Sequence, residues 1–184
     1  NATIRGVAKA CYNLIGEDKI EIVGISDGYH GLIHNECRDM KPNEFSGILT
    51  QGGTILGTRR TPYKLMQVIE DDNIDKVSQM KKTYKDQKLD CLLTLGGNGT
   101  HKTANLLSEE GLNVIGLPKT IDNDLALTDH TPGYGSAAKY IGTSMKEIIR
   151  DGFCLEYPKG LVTIVEIMGR NAGWLTGAAA LSKG

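Results

Sequence analysis

Apolar residues return at three- and four-residue steps along the first positions of the chain, at Ile4, Val7, Ala8, Cys11 and Leu14. That spacing predicts an amphipathic helix over 1–14. Residues 19–25 then read as a short strand stopped by Ser26-Asp27-Gly28, residues 31–44 as irregular, and 45–50 as a short helix closed by Gly52-Gly53. Ile74, Val77 and Met80 mark the apolar side of a helix over 73–87, and Cys91-Leu92-Leu93-Thr94-Leu95 is a buried strand running directly into Gly96. A helix to Glu110, a strand over 113–117, a long polar loop over 118–133, a helix over 134–150, a strand over 161–167 and a helix over 172–182 complete the pattern. Strands alternating with helices imply right-handed βαβ crossovers, so the expected fold is α/β, a doubly wound, mostly parallel sheet in three layers. Thr131-Pro132-Gly133 is the best boundary between a first domain, 1–133, and the start of a second, similar one, 134–184.

Composition narrows the function. The 184 residues carry 21 basic and 22 acidic side chains, a net charge of −1, which leaves no electrostatic surplus for holding nucleic acid or an anionic membrane. Lys81, Lys82, Lys85 and Lys88 fall at the spacing of a solvated helix face. There is no apolar run of the roughly 18 residues needed to cross a bilayer and no signal-peptide pattern. Cys11, Cys37, Cys91 and Cys154 are far apart with no C-x-x-C, which points to small buried apolar side chains in a reducing cytoplasm rather than disulfides or structural zinc. His30 and His34, four apart, are the one histidine pair with metal-ligand spacing. The 23 glycines stand well above the average of about 7% and fall mostly where strands should end, as turns. The chain opens on Asn1 rather than methionine, as a processed product or a fragment would.

In a Rossmann-like sheet, ligands bind beyond the carboxyl ends of the strands. Three such loops carry chemistry. Gly96-Gly97-Asn98-Gly99-Thr100 places three glycines in four positions before a helix, a backbone that can approach a phosphate closely while the helix start supplies N–H groups. It is neither a Walker A loop nor a full G-x-G-x-x-G, and a tight turn capped by Thr100 is the alternative. Pro118-Lys119-Thr120-Ile121-Asp122-Asn123-Asp124 sets two carboxylates at i and i+2; in an extended stretch they share one side, a pair suited to proton transfer and a divalent cation. An Asx-turn of self-satisfying side chains is the alternative there. Met168-Gly169-Arg170-Asn171 puts a guanidinium at a third strand end, and Arg59-Arg60 follow the glycine-rich segment 52–57. A phosphate cradle, paired aspartates and two arginine sites are together the parts of a phosphoryl-transfer centre.

G-G-T-x-L-G-T-x-R, G-G-N-G-T, P-K-T-I-D-N-D and M-G-R-N-A-G, in this order over the whole chain, resemble the 6-phosphofructokinase family. The glycine loop alone is shared with NAD kinases and lipid kinases; the other motifs are not. The resemblance implies phosphorylation of fructose 6-phosphate by ATP with Mg²⁺ or, in one branch, by pyrophosphate, in a cytoplasmic, glycolytic, allosteric enzyme that is a homo-dimer or tetramer. It implies Asp122 as the base on the sugar hydroxyl, Thr120 holding the phosphoryl group or sugar, Asp124 assisting with metal and charge, and Arg60 bridging the phosphoryl group. Gly96, Gly97, Asn98, Gly99 and Thr100 would bind the donor with Lys119 and, at the pocket edge, Tyr29. Met168, Gly169 and Arg170 would line the sugar-phosphate region. Arg5 and Lys9 fall at an effector site of the bacterial members. Gly99 leaves room for the α-phosphate of ATP, whereas Lys119 is usual in pyrophosphate users; with no obstruction, ATP is favoured. Asn98 stands where the family generally has an aspartate that engages Mg²⁺, which weakens a hard-cation site and raises the alternative of a catalytically weak regulatory subunit. The family's initial strand and glycine loop, and its second half, are not in the chain, so an interior portion is expected, inactive by itself. The reading requires Asp122 to lie within about 12 Å of the 97–100 turn.

Overall fold

The first helix forms over Ala2–Ile15 (α1) and stops at Gly16, whose φ of 105° lets its N–H reach back to the Tyr12 carbonyl. The computed structural model describes residues 1–155 and 157–182; Lys183 and Gly184, the end of the expected second domain, lie outside them. α1 buries Ala8 against Met40, Phe45 and Ile48, with Ile4, Tyr12, Ile22, Ile55 and Leu56 packed around them. Tyr12 meets Phe45 edge-on at a ring separation of 6.1 Å, the arrangement ring quadrupoles favour. Each large apolar side chain sealed in such a cluster stabilises the fold by about 1.5–3 kcal/mol.

Residues 31–44, expected to be irregular, are instead structured. β1 (Val23–Ile25) pairs antiparallel with β2 (Cys37–Asp39), Val23 opposite Asp39 and Ile25 opposite Cys37. Between them α2 (Tyr29–His34) ends at Asn35, which adopts a left-handed φ of 58°. Gly31 makes this helix fit: a Cβ there would lie 1.9 Å from the Ser26 carbonyl oxygen. A glycine-rich composition hides a helix that needs glycine for close packing. The short helix expected over 45–50 lies earlier, as a 3₁₀ turn at Pro42–Phe45. Pro42 presets its first dihedral, and the Glu44 carboxylate caps it by accepting the Lys41 N–H at 2.7 Å.

α3 (Lys76–Asp86) packs against α2 and buries Met80 completely. Its first residue, Lys76, is itself buried, with Nζ 2.8 Å from a Glu70 carboxylate oxygen and donating to the Val68 carbonyl at 2.8 Å. β3 (Leu92–Gly96) and β4 (Val114–Pro118) flank α4 (Asn98–Glu109). The Leu92 N–H bonds the Asn113 carbonyl and the Lys119 N–H bonds the Gly96 carbonyl, so the two strands run the same way, a parallel βαβ unit. α5 (Tyr134–Phe153) packs on α6 (Trp174–Ala179), which closes in a 3₁₀ turn at Ala180–Ser182. The α/β class stands, with one antiparallel and one parallel ladder among the described residues.

The strand expected over 161–167 does not form. Val162 is 86% and Ile164 91% exposed: β-branched residues favour a ladder but cannot supply its partner. The cysteines also depart from expectation, since none is fully buried and Cys154 is exposed. Partial burial still pushes the Cys37 and Cys91 thiols up, away from the reactive thiolate. No described helix is long and apolar enough to cross a membrane.

The chain divides into two compact units, residues 1–92 with 106–113, and residues 93–105 with 114–184. The first holds most of the buried apolar side chains, Leu32, Met66, Met80 and Leu107 among them; the second seals fewer, chiefly Leu175, Ala104 and Ala179.

Asp75 caps α3, accepting from the Ser78 hydroxyl at 2.7 Å and the Ser78 N–H at 3.1 Å. Those bonds, the hydroxyl first, hold its carboxyl below the ordinary range. Asp75→Ala lowers unfolding free energy by about 1 kcal/mol in urea melts at neutral pH. Because the folded carboxyl is the more acidic, the charged cap contributes fully above the unfolded carboxyl's value, about pH 4, and is lost as pH falls through the depressed one. Asp75→Asn keeps an acceptor and removes that pH dependence.

Candidate active site

β3 delivers the chain to Gly96, where a side chain is impossible: a Cβ would lie 2.1 Å from Thr100 Oγ1 and 2.5 Å from Thr100 Cβ. Thr100 thus folds the first turn of α4 over the strand end. That turn begins at Asn98, and the His101 N–H reaches the Gly97 carbonyl at 3.1 Å. The first N–H groups of a helix have no partner within it and sit at its positive dipole end. At Gly99 a Cβ would meet nothing within 4 Å, so the turn opens outward there.

The second loop joins directly to this turn. The Lys119 N–H donates to the Gly96 carbonyl at 2.9 Å. Thr120 then lies alongside Gly97, with its Cβ 3.5 Å and its Oγ1 3.7 Å from where a Cβ on Gly97 would be. Two residues on, the Asp122 N–H donates to Thr120 Oγ1 at 3.2 Å. Asn98 Nδ2 donates to Asp124 Oδ2 at 3.0 Å, a bond from the glycine turn to the aspartate loop. Through these contacts the loop that carries Asp122 begins against the glycine turn.

The two carboxylates do not share one side of an extended stretch as expected. Asn123 between them takes a left-handed φ of 52°, which cancels the alternation of a strand. Asp124 therefore meets Asn98, while Asp122 is half-buried with Oδ1 enclosed and without a hydrogen-bond partner. A buried carboxylate oxygen left unpaired is costly, and the loop around it is firmly tied. Buried Thr131 donates its hydroxyl to the Thr120 carbonyl at 2.7 Å and its N–H to Asn123 Oδ1 at 2.8 Å. Asn123 Nδ2 in turn donates to the Asp129 carbonyl at 3.1 Å. Sequence reasoning missed Thr131 and Asn123. The available signal was an asparagine between two aspartates, the residue type most at ease in left-handed turns.

The donor set suits a hard cation. No group of three or more His, Cys, Asp or Glu side chains gathers among the described residues. Mg²⁺, however, is held in phosphate-binding sites by one or two carboxylates together with substrate phosphates. Asp124, beside Asn98, supplies such an oxygen. Asn98 adds an amide oxygen when its side chain is turned, since amide orientation follows the hydrogen-bond network.

The third loop lies in the same unit. Gly169, at φ 118°, admits no side chain because a Cβ would lie 2.5 Å from the Ala172 carbonyl oxygen. Met168 and Arg170 are exposed, and no hydrogen bond or ion pair among the described residues joins them to the 118–124 loop. Lys119 is also exposed. Tyr29 and Arg60 belong to the other unit. Tyr29 opens α2 after Gly28, which has a φ of 64°. Arg60 is exposed, while its neighbour Arg59 lies 3.0 Å from His30 Nε2. The rings of His30 and His34, the pair with metal-ligand spacing, lie 4.3 Å apart and are tilted by 55° to each other.

A phosphofructokinase family model matches residues 1–184. An ATP-dependent 6-phosphofructokinase of Spirochaeta thermophila is 46% identical, the alignment covering 100% of this chain and 49% of that protein. A pyrophosphate–fructose 6-phosphate 1-phosphotransferase of Amycolatopsis methanolica is 37% identical, over 100% of this chain and 50% of that protein. Among solved structures, a pyrophosphate-dependent phosphofructokinase from Nitrosospira multiformis superposes with a TM-score of 0.82 at 26% identity, covering 100% of this chain and 46% of that one. The chain spans about half the length of the curated relatives it matches. It belongs to the phosphofructokinase family.

Proposed function

We propose that the chain is part of an ATP-dependent 6-phosphofructokinase, which transfers the γ-phosphoryl group of ATP to the 1-hydroxyl of fructose 6-phosphate. In this reading residues 1–133 belong to the phosphoryl-donor domain and 134–184 begin the sugar-phosphate domain. The observation that carries it is the contact of Thr120 with Gly97, which sets the aspartate loop against the glycine turn.

The sugar hydroxyl oxygen attacks the γ-phosphorus in line, its proton passes to the Asp122 carboxylate, and ADP leaves with the electrons of the broken P–O bond. The unpaired Asp122 Oδ1 is an acceptor with no competing partner. Thr120 orients the transferring group. Gly96, Gly97, Gly99 and Thr100, at the start of α4, cradle the donor phosphates through main-chain N–H groups. Arg60 and Arg170 neutralise the phosphoryl oxygens, with Met168 and Gly169 shaping the sugar side, Lys119 beside the donor phosphates and Tyr29 at the nucleotide edge. Asp124 and Asn98 would hold Mg²⁺, which supplies charge neutralisation on the donor phosphates when bound. A cytoplasmic, glycolytic homo-oligomer under allosteric control completes the reading.

Open space at Gly99 favours ATP, because nothing there repels or crowds its α-phosphate. Lys119 and the Amycolatopsis relative favour pyrophosphate as the second reading. With the full-length protein, turnover is expected with ATP; turnover with pyrophosphate alone selects the second reading. Asp122→Asn lowers kcat by about 10²–10⁴ with little change in KM, whereas an unchanged kcat sinks the assignment of Asp122 and favours a regulatory subunit. Asn98→Asp sets a second carboxylate against Asp124. It lowers Tm in metal-free buffer and enlarges the Tm rise produced by Mg²⁺, read by thermal shift.

A further inference from the structure

Asn1 occupies the N-cap of α1 without capping it, although asparagine is among the best capping residues. Its side chain is spent elsewhere. Nδ2 donates to the Gln51 carbonyl at 3.3 Å and the Gly52 carbonyl at 3.2 Å, and Oδ1 accepts the Ile55 N–H at 2.7 Å. Its main-chain nitrogen donates to the Gly53 carbonyl at 3.1 Å. One residue thus ties four positions of the 51–55 turn, including both side-chain dipoles in their correct sense.

The backbone beyond that turn is held equally tightly. Ile55 and Leu56 pack on the core cluster beside α1. The Asp27 N–H bonds the Leu56 carbonyl at 2.8 Å. Gly57 passes Asp27 so closely, at a φ of 72°, that a Cβ would lie 2.3 Å from Asp27 Oδ1. Arg59 lies 3.0 Å from His30 Nε2. Arginine is always a donor, so His30 accepts at Nε2. The next residue, Arg60, is exposed and makes no side-chain hydrogen bond or ion pair among the described residues. A backbone pinned from 51 to 59 that ends on a free guanidinium is a mount for that guanidinium.

We propose that Asn1 is a positioning residue for Arg60, acting through the 51–57 turn; this rests on the reading of Arg60 as a ligand of the transferring phosphoryl group. The link is geometric. The clamped turn contains Gly52 and Gly53, and Gly57 lies between it and Arg60; glycines restrict the backbone least, so the direction of the segment depends on external bonds.

The experiment is a double-mutant cycle in the full-length protein, with Asn1→Ala, Arg60→Ala and the pair, read as kcat and donor KM. Asn1→Ala is expected to lower kcat/KM about tenfold or more, as displacement of a catalytic group does. That loss should vanish in the Arg60→Ala background. Ile55 N–H exchange should accelerate in Asn1→Ala, which reports the clamp independently of turnover. An Asn1→Ala effect of equal size in both backgrounds, or no effect in the wild type, overturns the proposal. Normal kinetics in Arg60→Ala overturn the reading of Arg60 and the proposal with it, a result distinct from failure of Asn1 alone. Where Asn1→Ala does not fold, Asn1→Asp takes its place. It keeps the acceptor for Ile55 and loses both donors, so it preserves Ile55 protection while still lowering kcat/KM through Arg60.

Discussion

Thr100 occupies the volume that any side chain on residue 96 would need, and the arrangement of the site depends on that exclusion. A strand that enters a helix through a single residue, here Gly97, must let the helix's first turn settle onto the strand end. Only the missing Cβ at Gly96 permits it. Because Thr100 is tucked in, the N–H groups opening α4 face the end of β3, and the Gly96 carbonyl is left to receive the Lys119 N–H. That single bond sets where the second loop starts, and so places Thr120 against Gly97. Any larger residue at 96 would displace Thr100, move the helix start and separate the two loops at once.

The two compact units hold their polar loops by different means. In the 118–133 loop the restraint is a side-chain network: Thr131 and Asn123 convert backbone groups that would face water into internal bonds. In the 46–75 segment it is a set of plugs and ties, with Ile55 and Met66 buried or half-buried and the Lys76–Glu70 pair at the far end. Ordering one residue of backbone costs about 1–2 kcal/mol, while a typical hydrogen bond returns about 0.5–1.5 kcal/mol net. Long loops without regular structure are therefore ordered only when several bonds and some apolar burial act on the same few residues. Both segments meet that condition. Lys76 belongs to it as well: a buried ammonium is tolerable because Glu70 and the Val68 carbonyl both engage it.

Long periodic elements were legible from the residues. α1, α3, α4, α5 and the β3–β4 pair are implied by the residue pattern, whereas Asp75, the cap of α3, lies inside the helix expected over 73–87. Three failures share a cause. α2, β2 and the 3₁₀ turn at 42–45 are short, so periodicity has too few positions to register, and Gly31 disguises a packing contact as a loop signal. The 161–167 segment has the composition of a strand but no ladder, because a strand is defined by its neighbour and composition names no neighbour. At the site, the residue types were legible and the geometry was not. The i, i+2 rule for Asp122 and Asp124 holds only for extended backbone, and Asn123 leaves it. The clamp formed by Asn1 is of the same kind, since nothing local announces that a helix cap will bond a turn fifty residues away.

Asn98 shows how one atom changes what the site requires when no ligand is bound. A carboxylate at this position would stand about 3 Å from Asp124, and like charges that close oppose each other by on the order of a few kcal/mol even with partial solvent screening. Such a pair would separate unless a cation lay between them. An amide inverts the sign of the contact: its N–H attracts the Asp124 oxygen, and the two loops close on each other unaided. In the proposed kinase reading the same exchange would leave a cation one negative charge fewer, so its binding would rest on the phosphates it arrives with. With the amide, the two loops meet with no cation between them; with a carboxylate, their meeting would require one.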